Sequence, residues 1–168
     1  ELIDILIRLF LDPTDKLIDA QPTFGMYEFF AKIQGAEVLS ISRKSDFSID
    51  TDSISKTIDK STKLIFIASP NNPTGNTIEK DELIWLLNQK IMVVVDETYF
   101  EFCGESYMEL INEFENLIII RSFSKWAGLA GLRIGYAITN SELINRIIQI
   151  KQPYNINSAA EHVAIKAI

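Results

Sequence analysis

The chain has 168 residues, 47% of them hydrophobic and 23% charged, which suits one globular domain with a substantial core. A formal net charge of -7 argues against nucleic-acid binding, since phosphate backbones demand a basic surface. One histidine, His162, cannot alone build a zinc site or a serine triad, and one cysteine, Cys103, excludes an internal disulfide and fits a reducing compartment, expected to be the cytoplasm.

No apolar run approaches the roughly 20 residues of a membrane span, and Glu1-Leu2-Ile3-Asp4 lacks the basic region of a secretion signal. Leu2, Ile3, Leu6, Ile7, Leu9 and Phe10 recur at helical spacing, and Asp12-Pro13 closes that helix. Lys16 to Ala20 is a short extended run ending at Gln21-Pro22. Gly25 to Gln34 has a helical pattern stopped by Gly35, and Glu37 to Ile41 is a strand. Asp50 to Lys60 has helical period, and Lys63 to Ala68 is a strand. After the turn-rich Ser69 to Asn76, a helix is expected over Glu79 to Gln89. Ile91 to Val95 is unbroken apolar sequence, the mark of a strand covered on both faces. Tyr107 to Phe114 suggests a helix, Leu117 to Ile120 and Ile134 to Thr139 strands, and Ser141 to Lys151 a helix. Pro153 interrupts, and Ser158 to Ile168 starts another helix.

Strands alternating with helices imply an α/β fold, a three-layer α/β/α arrangement around a mainly parallel mixed sheet. Ligands of such sheets collect at the carboxyl ends of the strands. Three polar clusters fall at such ends: Ser69 to Gly75, Asp96 to Tyr99, and Ser122 to Lys125. Lys125 follows two hydroxyls and precedes a glycine-containing run that ends in Arg133. A lysine at the edge of a buried sheet sheds its proton more easily than in water, as an imine-forming lysine requires. The hydroxyls and the guanidinium suit a phosphate.

Several carboxylates have simpler roles. Asp50 and Asp52, like Glu79, Asp81 and Glu82, sit at helix starts, where negative charge is favourable. Cys103 reads as a small packed or loop residue and His162 as a surface or interface residue. No metal site is expected.

Taken in order, Pro22-Thr23-Phe24-Gly25-Met26-Tyr27, Ser69-Pro70-Asn71-Asn72-Pro73-Thr74-Gly75, Asp96-Glu97-Thr98-Tyr99-Phe100-Glu101-Phe102, the Lys125 segment and Gln152-Pro153-Tyr154-Asn155 form a specific set. On these residues the chain resembles the fold-type I aminotransferases that use pyridoxal phosphate, most closely those acting on histidinol phosphate. The resemblance implies that Lys125 bonds the cofactor aldehyde and then moves a proton, and that Asp96 pairs with the protonated pyridine nitrogen. It implies that Tyr99 and Asn72 hold the ring 3-oxygen and that Phe24 stacks on the ring. Ser122, Ser124 and Arg133 would cradle the phosphate, with Gly128 and Gly131 letting the backbone pass close. Asn72-Pro73 is a candidate cis bond. Departures from the usual pattern are Ser122, where many relatives carry threonine, and Trp126-Ala127.

The resemblance further implies a small-molecule amino donor, a 2-oxo acid acceptor and a homodimer. It implies that the chain is a central segment of a longer protein, with residues 1–152 a cofactor-binding large domain and residues 153–168 the start of a connecting segment. Two alternatives stand beside transamination. One is a lyase such as the threonine-phosphate decarboxylases, and the other is a cofactor-domain fragment inactive as it stands.

Overall fold

A computed structural model describes residues 1–168. Six strands form one sheet: β1 (Lys16–Gln21), β2 (Glu37–Ser42), β3 (Thr62–Ala68), β4 (Met92–Asp96), β5 (Leu117–Ser122) and β6 (Gly135–Ile138). Their spatial order is β2-β1-β3-β4-β5-β6. All neighbours are parallel except β5 and β6, which pair antiparallel.

Alternation along the strands sorts their side chains to two faces. Leu64 and Phe66 of β3, Val94 of β4, and Ile118 and Ile120 of β5 join one apolar cluster. That cluster is completed by α1 (Leu2–Phe10), α2 (Met26–Gln34) and α6 (Ser141–Ile150). Ile65, Ile67, Val93, Val95, Leu117 and Ile119 point the other way, against α3 (Thr51–Thr57) and α4 (Lys80–Asn88). Helices thus cover both faces, which is why the central strands are apolar through their middles. Each such side chain contributes about 1.5–3 kcal/mol when fully buried. The expected three-layer α/β/α architecture is the observed one.

Local chemistry explains the element ends. Asp50 caps α3 by accepting the Ser53 amide at 3.0 Å. Asp52, Asp81 and Glu82 lie in first helical turns and Glu79 at the cap position of α4, in keeping with their structural reading. Gly35 ends α2 with φ 83°, a left-handed conformation that favours glycine.

Several expectations shift. The Tyr107 to Phe114 helix is a short 3-10 helix over Met108–Asn112, because Tyr107 and Leu110 are both drawn into the core. The helix from Asp50 ends at Thr57, well before Lys60. The glycine at position 25 precedes α2 rather than opening it. Two elements had no periodic signal: α5 (Phe100–Cys103) and a 3-10 turn at Ala130–Leu132, both too short to show one. The last helix, α7 (Ser158–Ala167), packs Ala160 and Ala164 against Phe123 and Ile134. No helix is long and apolar enough to cross a membrane.

The close backbone approach near the lysine loop occurs at Gly135, the first residue of β6. A Cβ built there would lie 2.7 Å from the carbonyl oxygen of Arg121. The antiparallel partner strand cannot yield without breaking the β5–β6 ladder. Gly135→Ala is therefore expected to cost about 1–3 kcal/mol, the usual range for overpacking, measured as a lower urea midpoint.

Candidate active site

The three polar clusters do come together. β3, β4 and β5 are neighbours, so the loops leaving their carboxyl ends open onto a common cavity of about 370 Å³. Asn72 from the first loop, Asp96 and Tyr99 from the second, and Ser122, Ser124, Lys125 and Arg133 from the third all line it. Phe24, from the turn before α2, lines it as well. Glu1, Leu2 and Ile3 bring the amino terminus of α1 to the same space.

Asp96 is the last residue of β4 and is only 7% exposed. Its Oδ1 accepts the Thr98 amide at 3.0 Å, and its Oδ2 accepts the Tyr27 hydroxyl at 2.8 Å. Both donors are neutral, and Asp96 takes part in no ion pair. Burial pushes its carboxyl above the usual carboxylate range, against the pull of the hydrogen bonds from Thr98 and Tyr27. A carboxylate of this kind is compensated by a cation placed in the cavity.

Lys125 leaves a tightly folded loop. The Phe123 amide donates to the Ile134 carbonyl at 3.2 Å, and the Leu129 amide donates to the Phe123 carbonyl at 3.1 Å. Phe123 is buried against Ile134, Ala160 and Ala164, which fixes the residues on either side of it. The Ser124 amide donates to Ser122 Oγ at 3.1 Å. Lys125 Nζ stands 5.5 Å from the centre of the Tyr99 ring. Arg133 has φ 56°, left-handed backbone that is uncommon for a residue with a side chain. Its guanidinium donates to the Ala130 carbonyl at 2.9 Å.

Two expectations about this loop are corrected. Lys125 is exposed on its cavity, so these residues do not supply the desolvation expected of a sheet-edge lysine. A Cβ at Gly128 or Gly131 would meet nothing within 4 Å, so neither glycine serves a close approach. Gly128 instead has φ 66°, which a tight turn requires. Phe24 is 38% exposed, its ring edge-on to Tyr27 at 5.6 Å. The Asn72-Pro73 bond is cis, as are Gln21-Pro22 and Ser69-Pro70. Cys103 is exposed at the end of α5, and His162 is exposed on α7.

Residue-type reasoning passed over three contributors. Tyr27, the partner of Asp96, looks like an ordinary helix residue in sequence. Asn71 is buried and joins two loops: its Nδ2 donates to the Pro22 carbonyl at 3.0 Å, and its Oδ1 accepts the Thr23 hydroxyl at 2.9 Å. Glu97 is fully buried and pairs with Arg121, whose Nε and Nη2 reach Glu97 Oε2 at 3.0 and 2.7 Å. Arg121 also lies 3.5 Å above the Phe100 ring. In the sequence, only the adjacency of Glu97 to Asp96 and of Arg121 to Ser122 hints that this pair ties two site loops together.

Because Glu97 is fully buried and the Arg121 side chain is only 9% exposed, removing one strands the other. Arg121→Met is expected to cost about 3–5 kcal/mol, and Glu97→Leu/Arg121→Met together to cost less, as read from urea unfolding. Asp96 gives a pH dependence. Its folded pKa lies above the unfolded one, so the folded state binds the proton more tightly and stability falls as pH rises through that interval. Above the folded pKa the penalty is complete. Asp96→Asn should therefore stabilise the ligand-free protein at pH values above that pKa, by on the order of 1 kcal/mol. The gain should vanish in acid below both pKa values, as followed by thermal melts across pH.

Comparison with known proteins places this geometry. Residues 1–168 match the family model "Aminotransferase class I and II". The chain is 43% identical over its whole length to the histidinol-phosphate aminotransferase of Roseiflexus castenholzii, of which it covers 46%. The crystal structure of histidinol-phosphate aminotransferase from Clostridium acetobutylicum superposes with TM-score 0.89 at 33% identity, over 99% of this chain and 51% of that one. The same enzyme from Sinorhizobium meliloti, solved in complex with pyridoxal-5'-phosphate, shares the fold at TM-score 0.88 and 21% identity, over 99% of this chain and 47% of that one. The chain spans about half the length of these relatives, and it belongs to the class I and II aminotransferases.

Proposed function

We propose that the cavity holds pyridoxal phosphate and that the protein transfers an amino group from histidinol phosphate to 2-oxoglutarate. The observation that carries this reading is the sorting of charge in one cavity. A buried carboxylate without a cation, Asp96, lines the same space as a lysine, a guanidinium and two serines. A volume of about 370 Å³ suits a small cofactor. Pyridoxal phosphate matches that donor set, with a basic ring nitrogen, a ring oxygen, an aldehyde and a phosphate. When bound, it supplies an electron sink for the bond that is broken at the substrate's α-carbon.

In this reading Asp96 keeps the ring nitrogen protonated, and Thr98 and Tyr27 keep Asp96 in place. Tyr99 and Asn72 donate to the ring oxygen. Ser122, Ser124 and Arg133 grip the phosphate, joined by the first amides of α1, where a helix favours an anion. Phe24 covers a ring face. Lys125 would hold the cofactor at its aldehyde and would carry a proton at its Nζ.

The histidinol phosphate preference is supported by relatives of that name at 43% identity and above. We further propose that residues 1–152 form the cofactor-binding domain, that residues 153–168 lead towards further chain, and that the working protein is a cytoplasmic homodimer.

Borohydride reduction of the pyridoxal-phosphate-loaded protein should fix the cofactor to the peptide containing Lys125, as read by mass spectrometry, and Lys125→Ala should lose both the adduct and turnover. With histidinol phosphate and 2-oxoglutarate, glutamate should form. Release of carbon dioxide without glutamate would reject transamination in favour of a decarboxylase, and retention of the adduct in Lys125→Ala would reject the lysine assignment.

A further inference from the structure

Tyr27 is fully buried in the first turns of α2 and makes three contacts that lead to different parts of the site. Its hydroxyl donates to Asp96 Oδ2 at 2.8 Å. Its ring stacks on Phe66 of β3, with centroids 4.6 Å apart and planes inclined by only 6°. The edge of the pair formed with Phe24 lies at 5.6 Å and 81°. Phe66 sits on the strand beside β4, so the phenol is held against the sheet at a fixed height relative to Asp96.

The turn that carries Phe24 is fixed from the other side. Asn71 binds the Pro22 carbonyl and the Thr23 hydroxyl. Thr98 occupies the other Asp96 oxygen. With two directional bonds from opposite sides, the carboxylate has no free rotation about its own axis. Burial first, and then Asp96, keep the Tyr27 phenol protonated, with Asp19 adding to this and Arg43 opposing it. The hydroxyl can therefore only donate to the carboxylate.

We propose that Tyr27 is a positioning residue that sets, with one side chain, both the orientation of the Asp96 carboxylate and the tilt of the Phe24 ring. The inference rests on the reading that the cavity holds pyridoxal phosphate, because those two groups then face the edge and the face of the same pyridine. Tyr27 borders the cavity but is fully buried. It acts through Asp96 and Phe24, and its hydroxyl withdraws part of the carboxylate charge from the ring nitrogen.

The test uses the cofactor-loaded protein. Tyr27→Phe keeps the stack on Phe66 and deletes only the hydroxyl. The midpoint of the pH titration of the bound cofactor's visible absorbance should move by about half a unit or more. The cofactor dissociation constant should rise about tenfold, as expected for a lost hydrogen bond to a charged group. kcat should fall with KM for the amino donor unchanged. Placed in an Asp96→Asn background, Tyr27→Phe should add less than about a twofold change, since its route is gone.

Should Tyr27→Phe fail to fold, 3-fluorotyrosine at position 27 serves instead. As a stronger donor, it should shift the absorbance midpoint in the opposite sense to loss of the hydroxyl, which the double variants calibrate. Wild-type midpoint and affinity in both position-27 variants, while Asp96→Asn alters both, would overturn the proposal and leave the cofactor reading standing. If Asp96→Asn also leaves them unaltered, the cofactor reading falls and the proposal falls with it.

Discussion

A parallel sheet covered by helices on both faces has one place for polar side chains, its carboxyl edge. β3, β4 and β5 are apolar on both faces through their middles, and each ends in a polar turn. Polar groups in mid-strand would need partners that neither helical layer supplies. The site is the consequence of that exclusion. Its three loops converge because the strands that carry them are adjacent, so packing alone brings distant residues such as Asn72 and Lys125 to one cavity.

Two consecutive carboxylates at that edge show how the same burial yields opposite electrostatics. Successive side chains of a strand point to opposite faces. Glu97 turns towards Arg121, Ser106 and the Tyr107 amide, and so has its own cation. Asp96 turns towards Tyr27 and Thr98 and has only neutral donors. The first residue closes a structural link between β4 and β5. The second keeps a charge that the chain itself does not balance, a cost to the fold that a cation in the cavity would offset.

The loop after β5 is built differently from the residues around Asp96. Its rigid point is Phe123, packed under α7, while Lys125 and Arg133 remain exposed. Left-handed backbone at Gly128 and Arg133 turns the chain twice within a few residues and sends it into β6. Gly135 then passes against the Arg121 carbonyl, which locks the returning strand to the one that launched the loop.

Much of this was legible in the chain. Unbroken apolar runs such as Met92-Val93-Val94-Val95 identify strands buried on both faces, and the polar residues that follow them identify the edge where the cavity opens. Asn72, Asp96, Tyr99, Ser122, Ser124, Lys125, Arg133 and Phe24 could all be named because each is a reactive or hydrogen-bonding type, or an aromatic in a known motif, beside a strand end or a turn. Sequence periodicity could not mark α5 or the Ala130–Leu132 turn, which are shorter than the pattern that reveals a helix. Nor could it distinguish Gly135 from Gly128 and Gly131, because the need for a missing Cβ depends on what another strand places opposite. The tertiary structure alone decided that Tyr27 answers Asp96 across 69 positions of chain and that Arg121 answers Glu97 across 24. Partnerships of this kind are set by which strands become neighbours, and no local spacing encodes that order.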